Sequence, residues 1–79
     1  MIAQTADVHE SAVIGTDARV WHLAQVRECA EIGHNCVIGR GAYIDHHVVL
    51  GDNCKVQNYA CVYYPAKLGN GVLSDRRHC

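Results

Sequence analysis

The sequence predicts an all-β chain wound as a single-stranded, left-handed parallel β-helix of about four triangular 18-residue coils, and three observations predict it. Stepping by six from Ile2 meets Val8, Ile14, Val20, Val26, Ile32, Ile38, Ile44, Leu50, Val56, Val62 and Leu68, all β-branched or Leu. Four places on in each hexad the residue is small: Ala6, Ala12, Ala18, Ala24, Ala30, Cys36, Ala42, Val48, Cys54, Ala60, Ala66 and Val72. Glycine follows the large aliphatic at Gly15, Gly33, Gly51 and Gly69, once in every 18 residues. A period of six matches neither the 3.6 of a helix nor the alternation of one long strand. Short fixed repeats of this kind mark solenoids.

Each hexad supplies one strand and one corner. A small and a large inward residue flank one outward residue, as in an extended strand, and the other three residues turn the chain. Three strands and three corners close a coil, so residues 2–73 form the β-helix and 74–79 a short polar tail. Hydrogen bonding then runs between coils as parallel sheet on three faces. Parallel crossovers are usually right-handed; the strict hexad marks the left-handed exception. The four glycines are expected to stack at one corner, where a missing Cβ permits tight backbone geometry. Asn35, Asn53 and Gly71 follow at that corner and tolerate left-handed φ. Cys36 and Cys54 share one inward position 18 residues apart. They are expected as buried free thiols, since stacked strands ~4.8 Å apart hold Cβ atoms farther than the ~3.8 Å a disulfide prefers.

Composition narrows the function. A chain of 79 residues with a net charge of −1 is one small domain. Seven Lys+Arg against eight Asp+Glu argue against a nucleic-acid partner. The apolar runs are too short for a membrane span or secretory leader, so a cytoplasmic protein with no membrane partner is expected. The five cysteines lack CxxC spacing and are expected reduced, as small apolar side chains. The interior is thin, and outward Val13, Val37, Tyr43, Val49 and Cys61 offer apolar contact, so a homotrimer is expected. An open last coil near Leu68, Val72 and Leu73 predicts end-to-end pairing into a dimer of trimers.

Three segments carry a resemblance. Val20-Trp21-His22-Leu23-Ala24-Gln25-Val26-Arg27-Glu28, Ile32-Gly33-His34-Asn35-Cys36 and Lys55-Val56-Gln57-Asn58 resemble the hexapeptide-repeat nucleotide-sugar N-acetyltransferases. The likeness is nearest to enzymes acetylating the 3-amino group of UDP-activated amino-sugar acids and to dTDP-3-amino-sugar acyltransferases, and runs from about Val8 to Val72. It implies a left-handed β-helix, a homotrimer, and acetyl-CoA as a substrate held in grooves between subunits. The chain departs from the family at Tyr63-Tyr64-Pro65, where an acidic turn is usual. It departs again after Val72, where family members continue with further coils and this chain reads Leu73-Ser74-Asp75-Arg76-Arg77-His78-Cys79. The expectation is therefore a C-terminally truncated acyl-CoA-dependent N-acetyltransferase-like protein, with its activity left open by the want of those coils. The alternative is a non-catalytic trimeric β-helix scaffold.

Acetyl transfer needs a base for the amine, and histidine is the side chain suited to it. His22, His34 and His46 take the third hexad position on three different edges. His22, in the Trp-His block, is the candidate catalytic residue. Trp21, Asn58 and Tyr63 are the candidate substrate-binding residues, with an intersubunit contact for Trp21 and a turn role for Asn58 as the plainer alternatives. A zinc site like that of the γ-class carbonic anhydrases is not expected. No two histidines stand five or eighteen apart, so one chain cannot readily supply two ligands.

Overall fold

The structure, a computed structural model, describes residues 2–74. Twelve two-residue strands alternate with four-residue turns. One parallel sheet contains β1 (Asp7–Val8), β4 (Gln25–Val26), β7 (Tyr43–Ile44) and β10 (Cys61–Val62). A second holds β2 (Val13–Ile14), β5 (Glu31–Ile32), β8 (Val49–Leu50) and β11 (Lys67–Leu68). The third is built of β3 (Arg19–Val20), β6 (Val37–Ile38), β9 (Lys55–Val56) and β12 (Leu73–Ser74). The register is the 18-residue step throughout, with Val26 opposite Ile44 and Ile44 opposite Val62. This is the left-handed parallel β-helix of four coils. No helix in the described residues is long and apolar enough to cross a membrane.

The hexad sets what is buried. The second residue of each strand faces inward, and Val20, Val26, Ile38, Ile44 and Val56 are at most 1% exposed. The small column fills the remaining space with Ala24, Ala30, Ala42, Cys36, Cys54 and Ala60. In the terminal coils Val8, Ile14, Leu68 and Val72 are only partly covered. Ser74, placed in the tail by the hexad count, pairs opposite Val56 in β12; residues 75–79 lie outside the described residues.

Cys36 and Cys54 are buried free thiols, as expected. Each S–H donates to a carbonyl of the glycine corner, Cys36 to Gly51 and Cys54 to Gly69, both at 3.0 Å. Burial pushes the Cys36 thiol above its ordinary range. Cys29 is also free but exposed at a corner. The expectation of reduced cysteines is corrected at Cys61, which is disulfide-bonded. It holds the outward position of β10, so its sulfur is directed away from the core column.

Nine corners share one conformation. The fourth hexad position has positive φ at Asp17, Leu23, Cys29, Asn35, Gly41, His47, Asn53, Tyr59 and Gly71. Left-handed backbone disfavours Leu and Tyr, and bonds between coils offset that cost. The N–H groups of Asn35, Gly41, His47, Asn53 and Tyr59 donate to carbonyls of Thr16, His22, Glu28, His34 and Arg40 in the preceding coil. The stacked glycines answer a different demand. A Cβ on Gly15 would lie 2.5 Å from Gly33 C, and one on Gly33 2.5 Å from Gly51 O. Close coil-to-coil approach, with no positive φ at these glycines, requires them.

Candidate functional site

Four-residue turns stack into three edges, and each gathers a different chemistry. The glycine edge carries a ladder of side chains that accept from backbone N–H groups one coil away. His34 Nδ1 accepts from Thr16 N–H, Asp52 Oδ1 from His34 N–H and Asn70 Oδ1 from Asp52 N–H, each at 2.8 Å.

The second edge holds Trp21, His22 and Asn58 together. They border an open groove of about 1030 Å³ that also takes in Arg40, Lys55 and Gln57, with no carboxylate lining it among the described residues. Trp21 is 40% exposed. Asn58 Oδ1 accepts from Arg40 N–H at 2.9 Å, so this side chain forms the turn while its amide nitrogen keeps its donors. His22 Nδ1 lies 3.0 Å from Thr5 Oγ1, which also accepts from Leu23 N–H. Two cations and an exposed indole without a facing acid suit an anionic ligand with a planar group.

Tyr63 lies on the third edge, apart from the other three sequence candidates. Its ring centroid is 5.9 Å from that of Tyr43. Asp45 organises this edge. Asp45 Oδ1 accepts from His46 N–H at 2.8 Å, faces His46 Nδ1 at 2.9 Å and takes the Tyr43 hydroxyl at 3.3 Å, while Oδ2 accepts from Tyr64 N–H at 3.2 Å. The His46 backbone N–H is the largest of the causes that hold the Asp45 carboxyl at about 2, followed by the imidazole. The Tyr64 ring stacks on His46 with centroids 4.8 Å apart and planes 15° from parallel.

Hydrogen-bond partners sort the three sequence-predicted histidines by tautomer. A backbone N–H cannot accept, so the bond from Thr16 leaves neutral His34 with its proton on Nε2. A hydroxyl serves either tautomer, so Thr5 does not choose for His22. An ionised carboxylate cannot donate, so in the neutral ring Asp45 draws the His46 proton to Nδ1 and leaves Nε2 with a lone pair. An acid–imidazole pair with the far nitrogen bare is the arrangement of an oriented general base. By the hexad pattern His46 is one corner residue among several. Its signals were Asp45 immediately before it and Tyr64 one coil on.

Two hexapeptide-repeat families match the middle of the chain. The family described as Bacterial transferase hexapeptide (six repeats) matches residues 11–46, and the Hexapeptide repeat of succinyl-transferase matches residues 30–63. No curated protein matches this hexapeptide-repeat chain. Among solved structures it is similar to Caulobacter crescentus PerB in complex with CoA and GDP-perosamine, at 17% identity and a TM-score of 0.46, covering 98% of this chain and 49% of that one. It is similar to a point mutant of perosamine N-acetyltransferase from the same organism, also with CoA and GDP-perosamine, at 17% identity, a TM-score of 0.45 and 98% and 48% coverage. A third is the acetyltransferase domain of PglB from Neisseria gonorrhoeae FA1090, at 16% identity, a TM-score of 0.35 and 92% and 52% coverage. The chain spans about half the length of these structures. Among the described residues of this hexapeptide-repeat chain, no three His, Cys, Asp or Glu side chains are grouped to hold a metal ion.

Proposed function

We propose that this chain is an acyl-CoA-dependent N-acyltransferase acting on an amino group of a nucleotide-activated sugar, and that it works as a homotrimer in the cytoplasm. The observation that carries the chemistry is the Asp45–His46 pair with its bare Nε2. The groove of Trp21, His22, Arg40, Lys55 and Asn58, with its two cations, supports an anionic ligand such as the phosphates of acetyl-CoA or of a sugar nucleotide. In the proposed reaction the amine nitrogen attacks the thioester carbonyl carbon. His46 Nε2 accepts a proton from that amine, the C–S bond breaks, and the proton passes to the departing thiolate, giving amide and free CoA. His22 lines the groove and contacts ligand there. Half-exposed Val13 and Leu73, with partly covered Val37 and Val49, give outward apolar area for contacts between copies.

The deciding experiment is calorimetry with acetyl-CoA and free CoA, followed by acetyl transfer to a panel of UDP- and dTDP-linked amino sugars. Binding of CoA with transfer lost in His46→Asn is the expected result. If His22→Asn abolishes transfer and His46→Asn does not, the base is His22. Absence of any heat with CoA favours the second reading, a non-catalytic scaffold.

A further inference from the structure

The third edge carries more aromatic surface than an oriented base requires. Tyr63 and Tyr64 are 50% and 54% exposed, on adjacent residues of one corner. The two have different duties. Tyr64 lies flat against the imidazole of His46, whereas Tyr63 pairs with Tyr43, at 5.9 Å between centroids and a tilt of 49°. Tyr43 is fastened in turn, because its hydroxyl donates to the same Asp45 oxygen that faces His46 Nδ1. One carboxylate thus fixes the base and the inner ring of the aromatic pair. A tilted pair leaves a shelf with one ring open to solvent, immediately beside the base.

We infer that the Tyr43–Tyr63 pair is the subsite for the sugar ring of the acceptor, and that Tyr63 determines specificity for a pyranose over other amines; this rests on the acyltransferase reading above. A pyranose has one face of C–H groups that packs on an aromatic ring, and polar groups around its rim. An amine on that ring must come within hydrogen-bond reach of His46 Nε2 to lose its proton. A ring seated on Tyr63 has its edge toward Asp45 and His46, through the chain of contacts from Tyr63 to Tyr43 to Asp45. The charges agree. The shelf adjoins the ionised Asp45, and the cation beside it, Arg27, is held by Glu28 at 2.8 Å, whereas the groove on the neighbouring edge is lined by Arg40 and Lys55. The two edges thereby divide the substrates: anionic phosphates to the Trp21 edge, the amino sugar ring to the Tyr63 edge.

Saturation-transfer NMR on the full chain tests this. The tyrosine rings are irradiated with glucosamine, 3-amino-3-deoxyglucose, ethanolamine or putrescine present, and affinities are compared in wild type, Tyr63→Phe and Tyr63→Ala. The expected result is transfer to the pyranose C–H protons. The ring is worth about fivefold to tenfold in sugar affinity, lost in Tyr63→Ala, kept in Tyr63→Phe and absent for the two amines without a ring. Circular dichroism and acetyl-CoA calorimetry on each variant show that the coil and the groove are intact. Equal loss in both variants assigns the effect to the hydroxyl and overturns the proposal. So does unchanged sugar affinity in Tyr63→Ala, or equal binding of sugars and ring-free amines. If wild type binds the amino sugars but not CoA, the acyltransferase reading fails while the shelf stands.

Discussion

Replacing Gly33 with Ala tests whether coil spacing at the glycine edge sets stability. The added Cβ would stand 2.5 Å from Gly51 O and 2.6 Å from both Gly51 C and Asp52 Oδ1. Ordinary contact begins at 3.4 Å, so the two coils must part there by about 0.9 Å. Three N–H bonds cross that gap, besides the Cys36 S–H bond to Gly51 O: Gly33 N–H to Leu50 O at 3.1 Å, His34 N–H to Asp52 Oδ1 at 2.8 Å and Asn53 N–H to His34 O at 2.8 Å. Lengthened by that amount they leave hydrogen-bond range. At ~0.5–1.5 kcal/mol each, their loss costs about 2–4 kcal/mol, a large share of a small domain's stability. The same edge provides its own control. A Cβ on Gly69 meets nothing within 4 Å, so Gly69→Ala should be neutral or stabilising by up to ~1 kcal/mol through the unfolded chain. Urea unfolding followed by far-UV circular dichroism, at one protein concentration, gives both values. Equal free-energy changes in the two variants would falsify the close-approach account and leave glycine's backbone freedom as the cause.

Three further outcomes follow from the same geometry. His34→Asn should keep the ladder bond from Thr16 N–H, as Asn70 does for Asp52, whereas His34→Leu should cost about 1 kcal/mol in urea unfolding; equal losses would refute the ladder role. Asp45 titrates at about 2 in the folded chain against an ordinary 3.8. Its stabilisation is therefore whole above about pH 4 and fades as the pH falls toward 2. Midpoints measured across that window should converge between wild type and Asp45→Asn, and a constant offset would count against the assignment. Thiol alkylation mapped by mass spectrometry should modify exposed Cys29 at once and Cys36 and Cys54 only on unfolding; rapid modification of either buried thiol would contradict the packing.

What the sequence disclosed and what it withheld divide along the direction each side chain takes. Inward positions are constrained by a shared register and a narrow interior, so Val20, Ile38 and Val56 can be placed by counting in eighteens. Counting also foretold the glycine stack and the paired thiols of Cys36 and Cys54. Outward positions keep the register but not the rotamer. Counting puts Trp21, His22 and Asn58 on one edge and Tyr63 on another, yet does not reveal which imidazole has a partner that fixes its proton. Adding eighteen to His46 does give Tyr64, so the stack was available to arithmetic. The bond from Asp45 to His46 is a rotamer choice between neighbours in sequence, and no period encodes it. Hence the repeat specifies a scaffold nearly residue by residue, while the chemistry resides in the corner residues that the repeat leaves free to vary. The three edges differ for that reason: one backbone conformation, shared by nine corners, carries a structural ladder, a cationic groove and an acid–imidazole pair.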